Sequence, residues 1–316
     1  MRMTSYVTLS GLLVSHSRLS GINATAVSNV WVRGCQVTNT GGNGIDVAGS
    51  DSGVIDSVIR DVGCAGVRAG GGNWTTLVPG RMRVHNNVIS NFSRWKRTYM
   101  PGLTWGGVGN NYTSNNISHG PHNGVFGGGN AAEWAGVVGG NDCLFENNRI
   151  SHVAFEAEDA GGFYTCGQAG WALVNRGNVL RGNVFSNIAK DLSSLTTGSV
   201  YAVYFDDLMS GWTIENNVIE DSEFGILLGG GRQTTIRHNR FLRVAVNNPA
   251  KAPHAPIYVD NRGMASVENA VCKACSGSSC PLNSNYAKAV IAMRNPAWRK
   301  YNISLVRRPL RASFDS

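Results

Sequence analysis

The sequence predicts an all-β chain, a solenoid of short strands stacked coil upon coil, and three observations carry that expectation. First, a phrase of Asn, any residue, then an aliphatic or aromatic residue recurs about every 22 to 35 residues. Its copies are Asn87-Val88-Ile89, Asn115-Asn116-Ile117, Asn148-Arg149-Ile150, Asn183-Val184-Phe185, Asn217-Val218-Ile219 and Asn239-Arg240-Phe241. Second, these copies are followed by a further short apolar run that usually opens with Gly: Gly124-Val125-Phe126, Gly162-Phe163-Tyr164, Ala202-Val203-Tyr204-Phe205, Gly225-Ile226-Leu227-Leu228 and Pro256-Ile257-Tyr258-Val259. Third, each unit holds only β-type runs punctuated by Gly and Asn, with no amphipathic stretch of helix length.

Taken in order, Tyr6-Val7-Thr8-Leu9-Ser10-Gly11-Leu12 already alternates like a coil strand, where a secretory leader would show a basic start and a long apolar core. The chain is therefore expected to begin inside the solenoid, as a truncated form would. Weaker copies of the repeat follow in Cys35-Gln36-Val37 with Gly44-Ile45-Asp46-Val47, and in Ser57-Val58-Ile59 with Gly66-Val67. The Asn column is read as structural: identical side-chain amides on successive coils hydrogen-bond along the stack, and Asn tolerates the left-handed backbone of a tight turn. The apolar residue two positions on faces the same side and fills the bore. This reading assigns residues 1–263 to one coil and residues 264–316 to a Cys-containing insert and a C-terminal tail, packed on the coil or trailing from it.

Forty Gly and 15% charged residues suit a turn-rich all-β protein, and a 316-residue solenoid needs no division into globular domains. No apolar run is long enough to span a bilayer, so no membrane partner is expected. The net charge of +8 invites a polyanion. The basic residues concentrate only at Arg94-Trp95-Lys96-Arg97 and Arg307-Arg308, without a nucleic-acid-binding motif, so a polysaccharide or oligosaccharide is expected rather than nucleic acid. Of seven cysteines, Cys35, Cys64, Cys143 and Cys166 stand singly and read as small buried residues. Cys272, Cys275 and Cys280 cluster, but no second pair completes a zinc pattern, so no metal and no cofactor is expected and a disulfide in the insert is favoured.

Strand alternation locates the candidate chemistry. If Phe163, Val203, Ile226 and Ile257 point inward, Tyr164, Tyr204, Leu227 and Tyr258 share an outer column, and Cys166, Asp206, Gly229 and Asp260 lie two residues further along it. Asp159 and Glu156 lie in the acidic stretch Phe155-Glu156-Ala157-Glu158-Asp159, just before the strand of Tyr164. Asp207 adjoins Asp206, while Arg232 and Arg262 close the two following turns. Outward aromatics beside convergent acids suit a sugar-cleaving groove, because rings stack on pyranose faces and carboxylates act as acid, base or nucleophile. The same acids would also serve as ordinary solubilising residues on an exposed β-face. His122 is a lone histidine near a turn, a position more often structural than catalytic.

Residues 71–263 resemble the right-handed parallel β-helix glycoside hydrolases of the pectin-lyase-like superfamily, most closely glycoside hydrolase family 141. The resemblance rests on Thr98-Tyr99-Met100-Pro101-Gly102, Pro121-His122-Asn123-Gly124-Val125, Gly140-Asn141-Asp142, Glu156 with Asp159-Ala160-Gly161-Gly162-Phe163-Tyr164, Tyr204-Phe205-Asp206-Asp207 with Ser210-Gly211, Gly229-Gly230-Gly231-Arg232, and Pro256-Ile257-Tyr258-Val259-Asp260. The tail Asn295-Pro296-Ala297-Trp298-Arg299-Lys300-Tyr301 matches as well. It implies a single-stranded right-handed parallel β-helix and a secreted, monomeric hydrolase of cell-wall glycans, with α-L-fucosidase or xylanase activity. Asp159 and Asp206 or Asp207 would be its catalytic carboxylates. Tyr99, His122, Glu156, Tyr164, Tyr204, Arg232, Tyr258, Asp260 and Arg262 would bind substrate. The chain departs from the family at Gly167-Gln168-Ala169-Gly170-Trp171, where a charged Arg-Asp pair is missing. Two other functions fit the same fold: a lyase acting on uronate-containing glycans, and a glycan-binding coil without catalysis.

Overall fold

The computed structural model describes residues 1–128, 139–166, 175–189, 199–244, 256–260 and 295–301, and the backbone of 313–315. Each coil contributes one strand to each of three faces. The first face carries Ile45–Ser50, Val67–Asn73, Leu103–Val108, Val125–Gly127, Ala160–Cys166, Val200–Asp206, Phe224–Gly229 and Ile257–Asp260. The second carries Gly53–Ile55, Arg83–His85, Asn111–Thr113, Leu144–Glu146, Asn178–Arg181, Trp212–Glu215 and Thr235–Arg237. The third is a nine-stranded sheet running from Leu13–Ser15 to Arg240–Leu242 among the described residues. Pairing between coils is parallel and in register, as in Ile89↔Ile117, Ile117↔Ile150, Ile150↔Phe185 and Phe185↔Ile219.

The Asn column forms a continuous ladder at the corner between the second and third faces. The Nδ2 of Asn87 donates to Oδ1 of Asn115 at 2.9 Å, and the same bond repeats from Asn115 to Asn148 at 3.0 Å and from Asn148 to Asn183 at 2.9 Å. It continues from Asn183 to Asn217 at 3.0 Å and from Asn217 to Asn239 at 2.9 Å. Each Oδ1 also accepts the backbone N–H of the preceding ladder Asn, so the amides saturate a corner where backbone groups would otherwise be buried without partners. In the first coils Ser57 and Cys35 occupy this position, and the backbone N–H of Ser57 donates to Oδ1 of Asn87.

One expectation is corrected here. The left-handed residue is not the ladder Asn but the residue before it: Asp56, Asn86, Ser114, Asn147, Gly182, Asn216 and His238 have φ between 53° and 65°. The turn thus divides its work between two positions, one supplying positive φ and the next supplying the amide, which explains the doublets Asn86-Asn87, Asn147-Asn148 and Asn216-Asn217.

Inside the coil, Ile89, Ile117, Ile150, Phe185 and Ile219 are fully buried, as alternation predicts, and Phe241 packs against the same core half-buried. The core of the middle coils is filled by aromatics. Tyr112 stacks on Phe145 at 4.7 Å, and Trp105 meets Phe145 and Trp212 edge-on at 4.9 and 5.5 Å. Residues 295–301 return to the middle coils, where Trp298 Nε1 donates to the Thr75 carbonyl and Tyr301 and Lys300 reach Asp142. Residues 313–315 pair with Thr235–Arg237. Among the described residues no helix is long and apolar enough to cross a membrane. Cys272, Cys275, Cys280, Arg307, Arg308 and the stretch 167–171 lie outside the described residues.

Candidate functional site

The first face brings the candidate residues into one column. Register runs Asp46↔Arg68↔Thr104↔Phe126↔Tyr164↔Tyr204↔Leu227↔Tyr258, with Cys166↔Asp206 two residues further on. The two middle tyrosines cross. Their rings meet edge-on at 4.8 Å, the Tyr164 hydroxyl donates to Oδ2 of Asp206 at 2.8 Å, and the Tyr204 hydroxyl donates to Oδ1 of Asp159 at 2.7 Å. Asp206 Oδ1 also accepts the backbone N–H of Asp207 at 3.0 Å. Both oxygens of Asp206 are therefore held as acceptors.

Alternation explains why Tyr164 and Tyr204 leave the core, but it misjudges what they meet. They are only 2% and 5% exposed, packed in a second apolar cluster with Phe126, Cys166, Tyr201, Phe224 and Leu227. The expected open ribbon of tyrosines is thus replaced by a covered one, because these large rings bury more area against each other than strand geometry alone implies. Tyr201 and Phe224 were not legible as site residues. Ala202 and Val203 both enter the core while Tyr201 and Tyr204 both face the outer cluster, so strict alternation breaks where this strand enters the face. The matching of Gly124-Val125-Phe126 to Gly162-Phe163-Tyr164 was the available signal for Phe126.

The remaining candidates divide. Tyr99 is 47% exposed, and its ring lies 4.7 Å from that of His122 and 5.4 Å from that of Phe126, so the structure joins all three to the tyrosine pair. Its phenol is pushed above the ordinary range by partial burial and by the nearby charges of Asp159, Cys166 and Asp206. Tyr164 is raised further by burial and the same neighbours, so it stays a hydrogen-bond donor and cannot act as a base. Asp159 is exposed, whereas Asp206 is buried behind the rings and Asp207 lies just past the end of its strand, half-buried. Glu156 is exposed and paired with Arg97, whose Nε donates to Oε2 at 2.9 Å. Arg232 donates its backbone N–H to Ser210 and faces Arg176 electrostatically, on the turn beyond the strand of Leu227. Tyr258 is exposed and Asp260 half-buried in the last described coil; Arg262 lies outside the described residues.

Cys166 is buried, as expected of a small single cysteine, and lies in the outer column that alternation gives it. It belongs to the outer cluster, where its thiol meets Oδ2 of Asp207 at 3.3 Å. Donor atoms of Cys166, Asp206 and Asp207 all lie within 4.8 Å of one another. A thiolate with two carboxylates would suit a zinc-type ion better than calcium.

His122 is buried, and its Nδ1 has no hydrogen-bond partner among the described residues. Burial pushes its pKa down to about 4, against the opposing pull of Asp159. Because the unfolded chain takes up this proton near the ordinary value of 6.5, stability should fall as pH drops from 6.5 to about 4, by up to ~3 kcal/mol. The His122→Gln variant should show a flatter loss over the same window, read as the urea midpoint at several pH values. An unchanged pH profile in that variant would place the acid sensitivity elsewhere.

A family model described as "Right handed beta helix region" matches residues 20–241 and 136–296 of the chain. Among solved structures, a crystal structure of pectate lyase Pel9A superposes with a TM-score of 0.52 at 14% identity, covering 86% of this chain and 70% of that one. A structure of QnrB1, a plasmid-mediated fluoroquinolone resistance protein, covers 85% of this chain and 97% of its own at 7% identity, with a TM-score of 0.22, too low to carry an argument. No curated protein matches the chain significantly. The right-handed parallel β-helix of pectin-lyase type expected from the sequence is borne out by the family match and the pectate lyase superposition; at 14% identity the latter is a likeness of fold.

Proposed function

We propose that this chain, which belongs to the right-handed β-helix family, uses its acid–tyrosine face to act on a polysaccharide and cleaves a glycosidic bond by hydrolysis. The observation that carries the reading is the crossed pair, in which Tyr204 holds Asp159 and Tyr164 holds Asp206 on adjacent coils. Asp206 has both oxygens engaged. Asp159 is exposed with one oxygen held by Tyr204, which leaves the other open to substrate; one acid of the pair protonates the departing glycosidic oxygen, the other acts as base or nucleophile, and water supplies the hydroxyl. A retaining reaction would need the carboxyl groups about 5 Å apart and an inverting one roughly 6.5–9.5 Å, so product stereochemistry by NMR reports which role Asp206 takes. The finer assignment is an α-L-fucosidase or xylanase resembling glycoside hydrolase family 141, secreted and monomeric, with no metal or cofactor needed for these steps.

The test is a screen of the purified protein against fucosylated pectin fragments, xylans and aryl-glycosides, with the Asp206→Asn variant as control. Binding without release of reducing sugar would favour a glycan-binding coil instead. Tyr204→Phe removes only the hydroxyl that orients Asp159 and should lower kcat about tenfold with KM little changed, on the scale of one charge-assisted hydrogen bond. Tyr204→Ala, by contrast, should chiefly destabilise the protein, since it empties a buried ring position.

A second reading has one observation in its favour. His122 is an imidazole kept neutral above pH 4, beside Tyr99, and a neutral imidazole could abstract the proton of a β-elimination. The same fold in a pectate lyase is consistent with that chemistry. Against it, the outer columns containing Tyr164, Tyr204 and Asp206 hold no lysine among the described residues, and Arg is a poor base. Product absorbance at about 235 nm, the unsaturated-uronate signal, would overturn hydrolysis in favour of elimination.

A further inference from the structure

The loop at residues 93–97 carries the densest basic group of the described chain, and the acid–tyrosine site does not use it beyond Arg97. Trp95 in this loop is 70% exposed, yet it is firmly held. Its Nε1 donates to the Gly41 carbonyl, and the backbone N–H groups of Ser93, Arg94, Trp95 and Lys96 donate to carbonyls of Cys64, Val62 and Gly63. The indole edge lies so close to Gly63 that a Cβ there would come within 2.5 Å of Cδ1, so glycine is required beneath the ring. Arg97 anchors the far end of the loop through Glu156 and through the carbonyls of Ser93 and Arg94. The result is a rigid indole laid against the turns of two coils with its surface open to water, an exposure that folding alone does not favour.

Its two flanking side chains are positive. Among the described residues no carboxylate forms an ion pair with Arg94 or Lys96, whereas Arg68 is paired with Asp46, and Lys96, Arg68 and Asp46 all act on the Cys64 thiol. Tyr99, at the edge of the acid–tyrosine site, is four residues further along, which bounds its separation from Trp95 at ~14 Å of chain. We propose that Trp95, flanked by Arg94 and Lys96, is a distal subsite that stacks a sugar ring and receives its carboxylate, so that the substrate is an acidic, uronate-bearing polysaccharide extending from this loop toward Asp159. The proposal rests on the polysaccharide reading above and adds a site and a charge class to it. A lone stacking ring on a rigid coil favours a glycan over a nucleic acid, which would call for a series of such platforms.

Affinity electrophoresis in gels containing polygalacturonate or neutral xylan tests it, with the full chain, Trp95→Ala, Arg94→Glu with Lys96→Glu, and Asp206→Asn. Polygalacturonate should retard the full chain and Asp206→Asn alike, and more strongly than xylan does. Trp95→Ala and the charge-reversed variant should bind about tenfold more weakly while keeping the parent's circular dichroism, the scale of one aromatic contact or a few surface charges. Trp95→Ala should also cleave a short aryl-glycoside normally, because such a substrate does not reach the loop. If both loop variants bind like the full chain, or if xylan binds as tightly as polygalacturonate, the subsite is wrong while the polysaccharide reading stands. Retardation by no polysaccharide would defeat both, and retardation by an oligonucleotide alone would make the loop a nucleic-acid surface.

Discussion

Replacing Asp206 or Asp159 with Asn is expected to lower turnover of a cleavable glycan by ~10³-fold, within the range that a positioned acid or base contributes. The fold should survive both changes. Asn keeps the size of Asp; at position 159 its carbonyl oxygen can still accept from Tyr204, and at position 206 it can accept the Asp207 N–H while its amide donates to the Tyr164 hydroxyl. Each variant therefore isolates loss of a carboxylate from loss of structure, provided circular dichroism and melting temperature remain those of the parent. Asp207→Asn should cost less, because Asp207 lies beyond the strand end, where its carboxylate meets the Cys166 thiol. Normal turnover by both Asp159→Asn and Asp206→Asn would refute the catalytic assignment, and a larger loss at Asp207 would shift it by one residue.

The ladder should produce the largest effect on stability. In Asn148→Ala the protein loses four buried hydrogen bonds: two accepted by Oδ1 from Asn115, and two donated by Nδ2 to the Tyr112 carbonyl and to Asn183. The deletion leaves the Asn115 N–H and amide without an acceptor inside the coil, so the expected loss is ~3 kcal/mol or more. Asn239→Ala, at the last ladder position and half-buried, should cost roughly 1 kcal/mol, since water can replace the missing partner. Denaturant midpoints of the two variants, compared at constant slope, measure the difference. Equal losses at the two positions would mean that the interior amides contribute nothing beyond an ordinary surface turn.

The ladder was legible because its cause is local and repeats: a turn in each coil needs an amide, and the next apolar residue must fill the bore. The same periodicity placed Tyr164, Tyr204 and Asp206 in outer columns, since strand alternation alone decides on which side of a strand they stand. The neighbourhood of Tyr99 and His122 came from the family resemblance and not from the repeat. The periodicity missed Arg97 as the partner of Glu156, a pairing between residues 59 positions apart that no repeat encodes. It also missed Tyr201 and Phe224, because alternation fails where Ala202 and Val203 both turn into the core.

By itself, the sequence determined the coil, its parallel stacking, the Asn corner, the inward aliphatic column and the side of the sheet on which the acids lie, because each depends on periods of two residues or of one coil. Only the tertiary structure decided which of those outward residues meet solvent. The burial of Tyr164, Tyr204 and Asp206, the exposure of Asp159 and Tyr99, the crossing of the two tyrosine hydroxyls and the pinning of Trp95 all arise from contacts between coils. Side-chain size and reach across neighbouring coils govern those contacts, and alternation along a single strand carries no information about them.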